Sequence, residues 1–159
     1  MVIISDTGPL IALAKTHNLI ILKKLFERVI ITPSVFHELR IFSSKPGASE
    51  LREAFEIQKW IEASEPIEVP PILGVLDPGE AESIVLAKKR NLVLLIDERK
   101  GRKIAKKENV KITGTGAVLL AAKQKGIIKK VSPIIDQFTE IGYRISNGLK
   151  EKILRLAQE

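Results

Sequence analysis

Leu92-Val93-Leu94-Leu95-Ile96-Asp97-Glu98 is the stretch on which the reading of this chain turns. Five consecutive apolar residues closed by acids mark a strand with both faces buried. Such a strand needs cover on two sides, and the flanking sequence supplies it. Upstream, Asp77-Pro78-Gly79-Glu80 opens a helix that runs to about Arg90. Asp77 stands as N-cap, Pro78 at the first helical position and Glu80 at the third, the spacing of a capping box. Downstream come a basic helix and a short strand around Val110 to Ile112. Gly114-Thr115-Gly116 then leads into a helix from Ala117 to Lys125, closed by Gly126.

The same alternation fills the N-terminal half. Val2 to Ile4 is a β-prone run that ends at Ser5-Asp6-Thr7-Gly8-Pro9, a turn into a helix carrying Leu10, Ile11, Leu13 and Ala14. A second helix covers Leu19 to Phe26, and Val29-Ile30-Ile31 is the next strand. Thr32 as N-cap and Pro33 at the first position then start a helix that carries Val35, Phe36, Leu39 and Phe42. After the loop from Ser43 to Gly47, a long helix is expected over Ala48 to Ala63. Ile67 to Val69 reads as an edge strand stopped by Pro70 and Pro71. Helices over Pro133 to Ile141 and Asn147 to Leu156 make a C-terminal helical segment from about residue 133. Strands alternating with helices predict an α/β fold, a parallel sheet with helices on both faces. Ligands of such sheets sit beyond the carboxyl ends of the strands.

The length of 159 residues suits one domain, 1–159, and a hydrophobic fraction of 45% argues against a disordered chain. The absence of cysteine removes disulfides, thiolate metal sites and a thiol nucleophile. Two histidines, His17 and His37, leave little from which to build a structural zinc site. The N-terminus has no basic leader, and no apolar run approaches the ~20 residues of a membrane span, so a cytoplasmic protein is expected. A net charge of +7 and a pI near 9.7 favour a polyanionic partner. Aromatic residues make up only 4%, so a nucleic acid would be held by its phosphates rather than by base stacking.

Asp6 directly follows the first strand and Asp97 the buried one. If those strands are parallel neighbours, two carboxylates meet at one rim and repel unless a cation or proton lies between them. Magnesium suits the position because it takes oxygen ligands and keeps several waters. Each aspartate also fits as the cap of the next helix. Glu38, within the Pro33 helix, fits a solvated face. Glu80 is explained by its capping box, yet a helix N-terminus also keeps a carboxylate ionised, as a ligand must be. Glu82 lies on another side of that helix, and spacing leaves the two glutamates open. Arg99, Lys100, Arg102, Lys103, Lys106 and Lys107 form either a solvated face or a phosphate grip. Gly114-Thr115-Gly116 looks like the start of a dinucleotide loop, but Leu119 stands where its third glycine would be, which discounts a dinucleotide.

Taken in order, five segments resemble the PIN domain family, the fold of VapC-type toxin ribonucleases, and within it a prokaryotic PIN-like branch. They are Ser5 to Leu13, Thr32 to Leu39, Leu76 to Glu82, Leu95 to Arg102, and Gly114 to Gly126. The resemblance implies a three-layer α/β/α sandwich with a central parallel sheet of about four or five strands. It implies acids gathered around Mg2+ or Mn2+, with Asp6, Glu38 and Asp97 matching three of them. An ungapped count back from Asp97 puts the fourth at Glu80, where the family usually has aspartate. Glu98 is an extra or substitute ligand. The implied activity is metal-dependent endoribonuclease action through Asp6, Glu38, Glu80 and Asp97. Ser5, Thr7 and Thr115 would hold water or phosphate nearby, and Arg99, Lys100, Arg102, Lys103 and Lys107 would grip RNA. The implied partners are RNA, a small antitoxin and a second copy of the chain. The rival reading is a catalytically silent PIN fold that binds nucleic acid or protein as a scaffold. A receiver-like signalling domain is set aside, because the first strand ends in a single acid and Val69 is followed by prolines.

Overall fold

Five short strands lie side by side and all run parallel in the computed structural model, which describes residues 1–159. They are β1 (Val2–Ser5), β2 (Arg28–Ile31), β3 (Ile61–Ala63), β4 (Leu94–Leu95) and β5 (Ile112–Thr113), in the order β3-β2-β1-β4-β5. Successive side chains of a strand point to opposite faces, and the core divides accordingly. Ile3, Val29, Ile31, Ile61 and Leu95 join a large apolar cluster on one face. Ile4, Ile30, Leu94 and Ile96 join a smaller one on the other. Each fully buried leucine or isoleucine contributes about 1.5–3 kcal/mol.

The helices are α1 (Thr7–Lys15), α2 (Ile20–Leu25), α3 (Pro33–Leu39), α4 (Ala48–Arg52), α5 (Pro78–Arg90), α6 (Arg99–Lys107), α7 (Thr115–Gln124), α8 (Ser132–Glu140) and α9 (Asn147–Leu156). α1, α7 and α8 pack their apolar residues into the first cluster, whereas α5 and α6 cover the second. The result is an α/β/α sandwich, as the pattern of short apolar runs implied. None of the helices is long and apolar enough to cross a membrane.

Several boundaries differ from expectation, among them the strand expected at Val110 to Ile112, which is Ile112–Thr113, and the helix expected from Ala117, which starts at Thr115. The helix expected over Ala48 to Ala63 ends early. After α4 its last turn widens over Glu53–Ile57, with the Gln58 amide bonded back to the Glu53 carbonyl. Lys59 then takes a left-handed conformation, φ +57°, and Ile61–Ala63 pairs with β2 instead. Burying Ile61 in the sheet outweighs the helical spacing. That makes β3 the edge strand, and Ile67 to Val69 is no strand; Ile67 and Val69 pack half-buried against the second cluster. α3 stops at Leu39 because Arg40 adopts a left-handed cap at φ +48°, which leaves Phe42 outside the helix and 64% exposed. The run Leu92 to Ile96 forms ladder only at Leu94–Leu95, since its neighbour β5 is itself two residues long.

The topology changes direction between β1 and β4. From β1 the chain turns into α1 on the first face, and from β4 into α6 on the second. A crevice opens at the carboxyl end of such a switch point. Across it, α5 is tied to α3: Glu82, only 8% exposed, accepts the backbone N–H of Ser34 at 3.1 Å. Glu82 therefore anchors the first turn of α3. Replacing it by alanine should cost about 1.5–3 kcal/mol, the range for a bond to a charged acceptor. Glu82→Gln keeps an oxygen acceptor and should lose less. Urea unfolding of the two variants compares them.

Candidate functional site

The backbone of Asp6 is held by β4. Its amide donates to the Leu95 carbonyl at 2.9 Å, so Asp6 and Asp97 leave the sheet from adjacent strands. Glu38 arrives from α3, and the Thr7 hydroxyl donates to its Oε2 at 2.7 Å. The carboxylate of Glu38 lies against the start of α5, where a Cβ added to Gly79 would sit 2.8 Å from Oε1. Glycine at that position lets the two helices bring their acids together. Asp77 caps α5 by accepting the Glu80 N–H at 2.9 Å, and Glu80 is 7% exposed. Glu98 caps α6, accepting from the amides of Lys100 at 2.7 Å and Gly101 at 3.2 Å.

All six acids, Asp6, Glu38, Asp77, Glu80, Asp97 and Glu98, line one cavity of about 1320 Å³. Its other wall is basic. Arg99, Arg102, Lys103 and Lys106 face it from α6, while Arg144 and Lys152 face it from the C-terminal segment. The α6 residues are spaced i, i+3, i+4 and i+7, one stripe of a helix. Thr7 and Thr115 line the same cavity.

Not every residue singled out in the sequence reaches it. Ser5 is buried and its hydroxyl donates to the Asp6 carbonyl at 2.9 Å, so it holds backbone rather than facing the opening. Lys100 turns away and its ammonium donates to the Val75 carbonyl at 2.7 Å. Lys107 lies outside the lining stripe, and Glu82 is spent on Ser34. Sequence reasoning read Asp77 only as a cap and overlooked Arg144, Lys152 and Tyr143. The Tyr143 hydroxyl donates to Asp97, as does that of Thr115. No periodicity flags a lone tyrosine between two helices.

The acids share an electrostatic problem. Burial pushes Asp6 up to about 7; the Thr7 backbone N–H works against this, and the neighbouring Asp77, Glu38 and Asp97 add to it. Burial likewise pushes Glu80 up to about 7, reinforced by Asp77, Asp6 and Glu98. Burial and the Asp97 carboxylate raise Tyr143 above its ordinary value, which keeps it a hydrogen-bond donor. None of the ion pairs of the fold involves any of the six acids. Six carboxylates with no protein cation among them fit an oxygen-seeking divalent ion in charge and in chemistry. As the side chains stand, no three acids are gathered tightly enough to ligate one ion.

A parallel sheet whose switch point opens on a cavity lined by acids and a basic stripe defines the class, an α/β sandwich with a charged crevice at the carboxyl ends of its strands. The family model described as DUF3368, PIN domain, matches residues 2–159, and the chain belongs to the PIN domain family. PIN domains are generally nucleases that act on RNA and usually bind divalent metals. Among solved structures, a PilT N-terminus domain protein from the hyperthermophilic archaeon Sulfolobus solfataricus P2 is similar in fold, with a TM-score of 0.50 and 16% identity. The match covers 77% of this chain and 93% of that one. None of the curated proteins matches the chain.

The raised acids set the pH response of the metal-free fold. An unfolded aspartate ionises near pH 4, whereas folded Asp6 holds its proton to about pH 7. The folded state thus binds more protons in that window, and stability falls as pH rises through it. Asp6 makes no side-chain cap bond to α1, so asparagine forfeits no cap there. Metal-free Asp6→Asn should therefore melt above the wild type at roughly pH 8 and converge with it toward about pH 4. Thermal melts in chelator follow the difference.

Proposed function

We propose that the chain is a cytoplasmic Mg2+- or Mn2+-dependent endoribonuclease. The observation that carries this reading is the set of six carboxylates without a protein counter-charge, set opposite a basic stripe in one cavity. Asp6, Glu38, Glu80 and Asp97 would hold the metal, with Glu98 beside them. When bound, the metal supplies Lewis-acid polarisation of the scissile phosphate and of water. Arg99, Arg102, Lys103 and Lys106 grip the RNA backbone by its phosphates and lay it across the acids. A carboxylate of the set orients the attacking water and takes its proton. In-line attack would form a bond from the water oxygen to phosphorus and break the one to the 3′-oxygen, which takes a proton from solvent, leaving a 3′-hydroxyl and a 5′-phosphate. Thr7 and Thr115 steer Glu38 and Asp97 through the bonds they already make. A toxin role belongs to the same reading, with a small antitoxin covering the cavity and the chain pairing with a second copy of itself.

One observation favours a second reading, a catalytically silent PIN fold that serves as a scaffold: no three acids are gathered for one ion. Metal titration separates the two. A nuclease takes up Mn2+ at the cavity, whereas a scaffold binds its partner without it.

Asp6→Asn should lose RNA cleavage by at least about 100-fold while keeping a folded far-UV spectrum. Cleavage by the pure variant at the wild-type rate would assign the activity elsewhere. Glu80→Gln should weaken Mn2+ binding in calorimetry and Glu82→Gln should not, because Glu82 bonds Ser34. On the basic wall, Lys103→Ala with Lys106→Ala should weaken RNA binding. The log–log salt slope should become shallower by roughly 0.7 per lost contact to a single strand. Lys107→Ala lies outside the stripe and serves as the control; equal slopes for all three proteins would retire the grip.

A further inference from the structure

Asp97 is bound differently from the other acids of the cavity. Its Oδ1 accepts the Thr115 backbone N–H at 2.8 Å, and its Oδ2 accepts the hydroxyls of both Thr115 and Tyr143. A carboxylate has about four lone-pair directions, two on each oxygen. Three are taken, and the one left is on Oδ1.

Tyr143 comes from the segment between α8 and α9. Its ring meets Phe138 edge-on, with centroids 5.5 Å apart and planes at 69°. Its hydroxyl oxygen lies against the first turn of α1, where a Cβ added to Gly8 would be 3.4 Å away. Packing on two sides therefore holds the hydroxyl in one position, and a fixed donor fixes its acceptor.

We infer that Tyr143 is a positioning residue. With Thr115, its hydroxyl locks the Asp97 carboxylate so that the one free lone pair, on Oδ1, is offered to the cation. The inference rests on the reading of the acids as a metal site and adds a residue from the C-terminal segment to it. Tyr143 touches neither metal nor RNA in this role; it acts through Asp97.

Tyr143→Phe keeps the ring on Phe138 and Gly8 and removes only the hydroxyl. Calorimetry of the whole chain with MnCl2, without RNA, reads the effect. The expected result is an affinity reduced by about 10–100-fold, the usual loss when the partner of a ligand is removed. The metal-free protein loses one hydrogen bond to a carboxylate, so its thermal midpoint should fall by about 3–12 °C and no more, while a near-UV spectrum unchanged from the wild type separates positioning from lost packing. Thr115→Val should give a loss of similar size, and the double variant less than the product of the two. Asp97→Asn is the control for the site itself. If it binds Mn2+ like the wild type, the metal-site reading fails and this inference goes with it. If it loses Mn2+ while Tyr143→Phe binds normally, the site stands and the role of Tyr143 is overturned. Tighter binding by Tyr143→Phe also overturns it, since the hydroxyl would then compete with the ion. Tyr143 is the single tyrosine of the chain, so protein labelled with fluorotyrosine has one fluorine resonance. Should Tyr143→Phe fail to fold, that resonance takes its place: a shift on saturation with Mg2+ supports the inference, and an unmoved signal overturns it.

Discussion

The bond from the Asp6 amide to the Leu95 carbonyl ties the end of β1 to the end of β4, and the site is organised around that seam. β1 feeds a helix on one face of the sheet and β4 a helix on the other, and the cavity opens where they part. Two aspartates emerge there from neighbouring strands. The remaining acids come from helices whose first turns point at the same opening, Glu80 from α5 and Glu98 from α6, with Glu38 carried in on α3. Each helix start already spends backbone N–H groups on a carboxylate, through Asp77 in α5 and Glu98 in α6. Those amides offset part of the repulsion that so many acids create.

Burial pushes both Asp6 and Glu80 up to about 7, and the neighbouring carboxylates add to it. A chain of net charge +7 could have supplied lysines or arginines to neutralise them. Instead the basic residues stand on the opposite wall, and Arg102 gives a hydrogen of its guanidinium to the Ile96 carbonyl rather than to an acid. The cavity thus sets acids that pair with no cation opposite cations that pair with no acid.

The C-terminal segment closes the cavity from the side, and its own attachment explains why it stays there. Burial alone would raise Glu159, yet the backbone N–H groups of Val131 and Ser132 and the Lys123 ammonium hold it at about 2. Lys123 also donates to the Ala157 carbonyl at 2.5 Å. These bonds clamp the end of α9 to α7 and to the start of α8. The other end is held by Tyr143 on Asp97. Between the clamps, Ile153 lies so close to Gly116 that a Cβ there would be 2.5 Å from its Cδ1. Lys152 is thereby kept on the cavity wall.

Local signals sufficed for much of this. The apolar run before Asp97, the Thr32-Pro33 and Asp77-Pro78 starts and the spacing of α6 were legible because capping, proline geometry and burial act within a few residues. Asp6, Glu38, Glu80 and Asp97 were marked by the family pattern instead, and all four line one cavity. That Asp77 also lines the cavity was hidden behind its capping bond, since one side chain can do both and spacing reads only the first. Other features belong to contacts between distant segments. Ile61–Ala63 had helical spacing but became β3, because the unpaired edge of β2 offered hydrogen bonds and burial that no local preference could outbid. Glu82 and Glu80 are two residues apart on one helix, and only the approach of α3 decided that one holds Ser34 while the other faces the cavity. Tyr143 is 46 positions from Asp97. Its sequence neighbours specify no partner; its packing on Phe138 of α8 and against Gly8 of α1 brings its hydroxyl to that carboxylate.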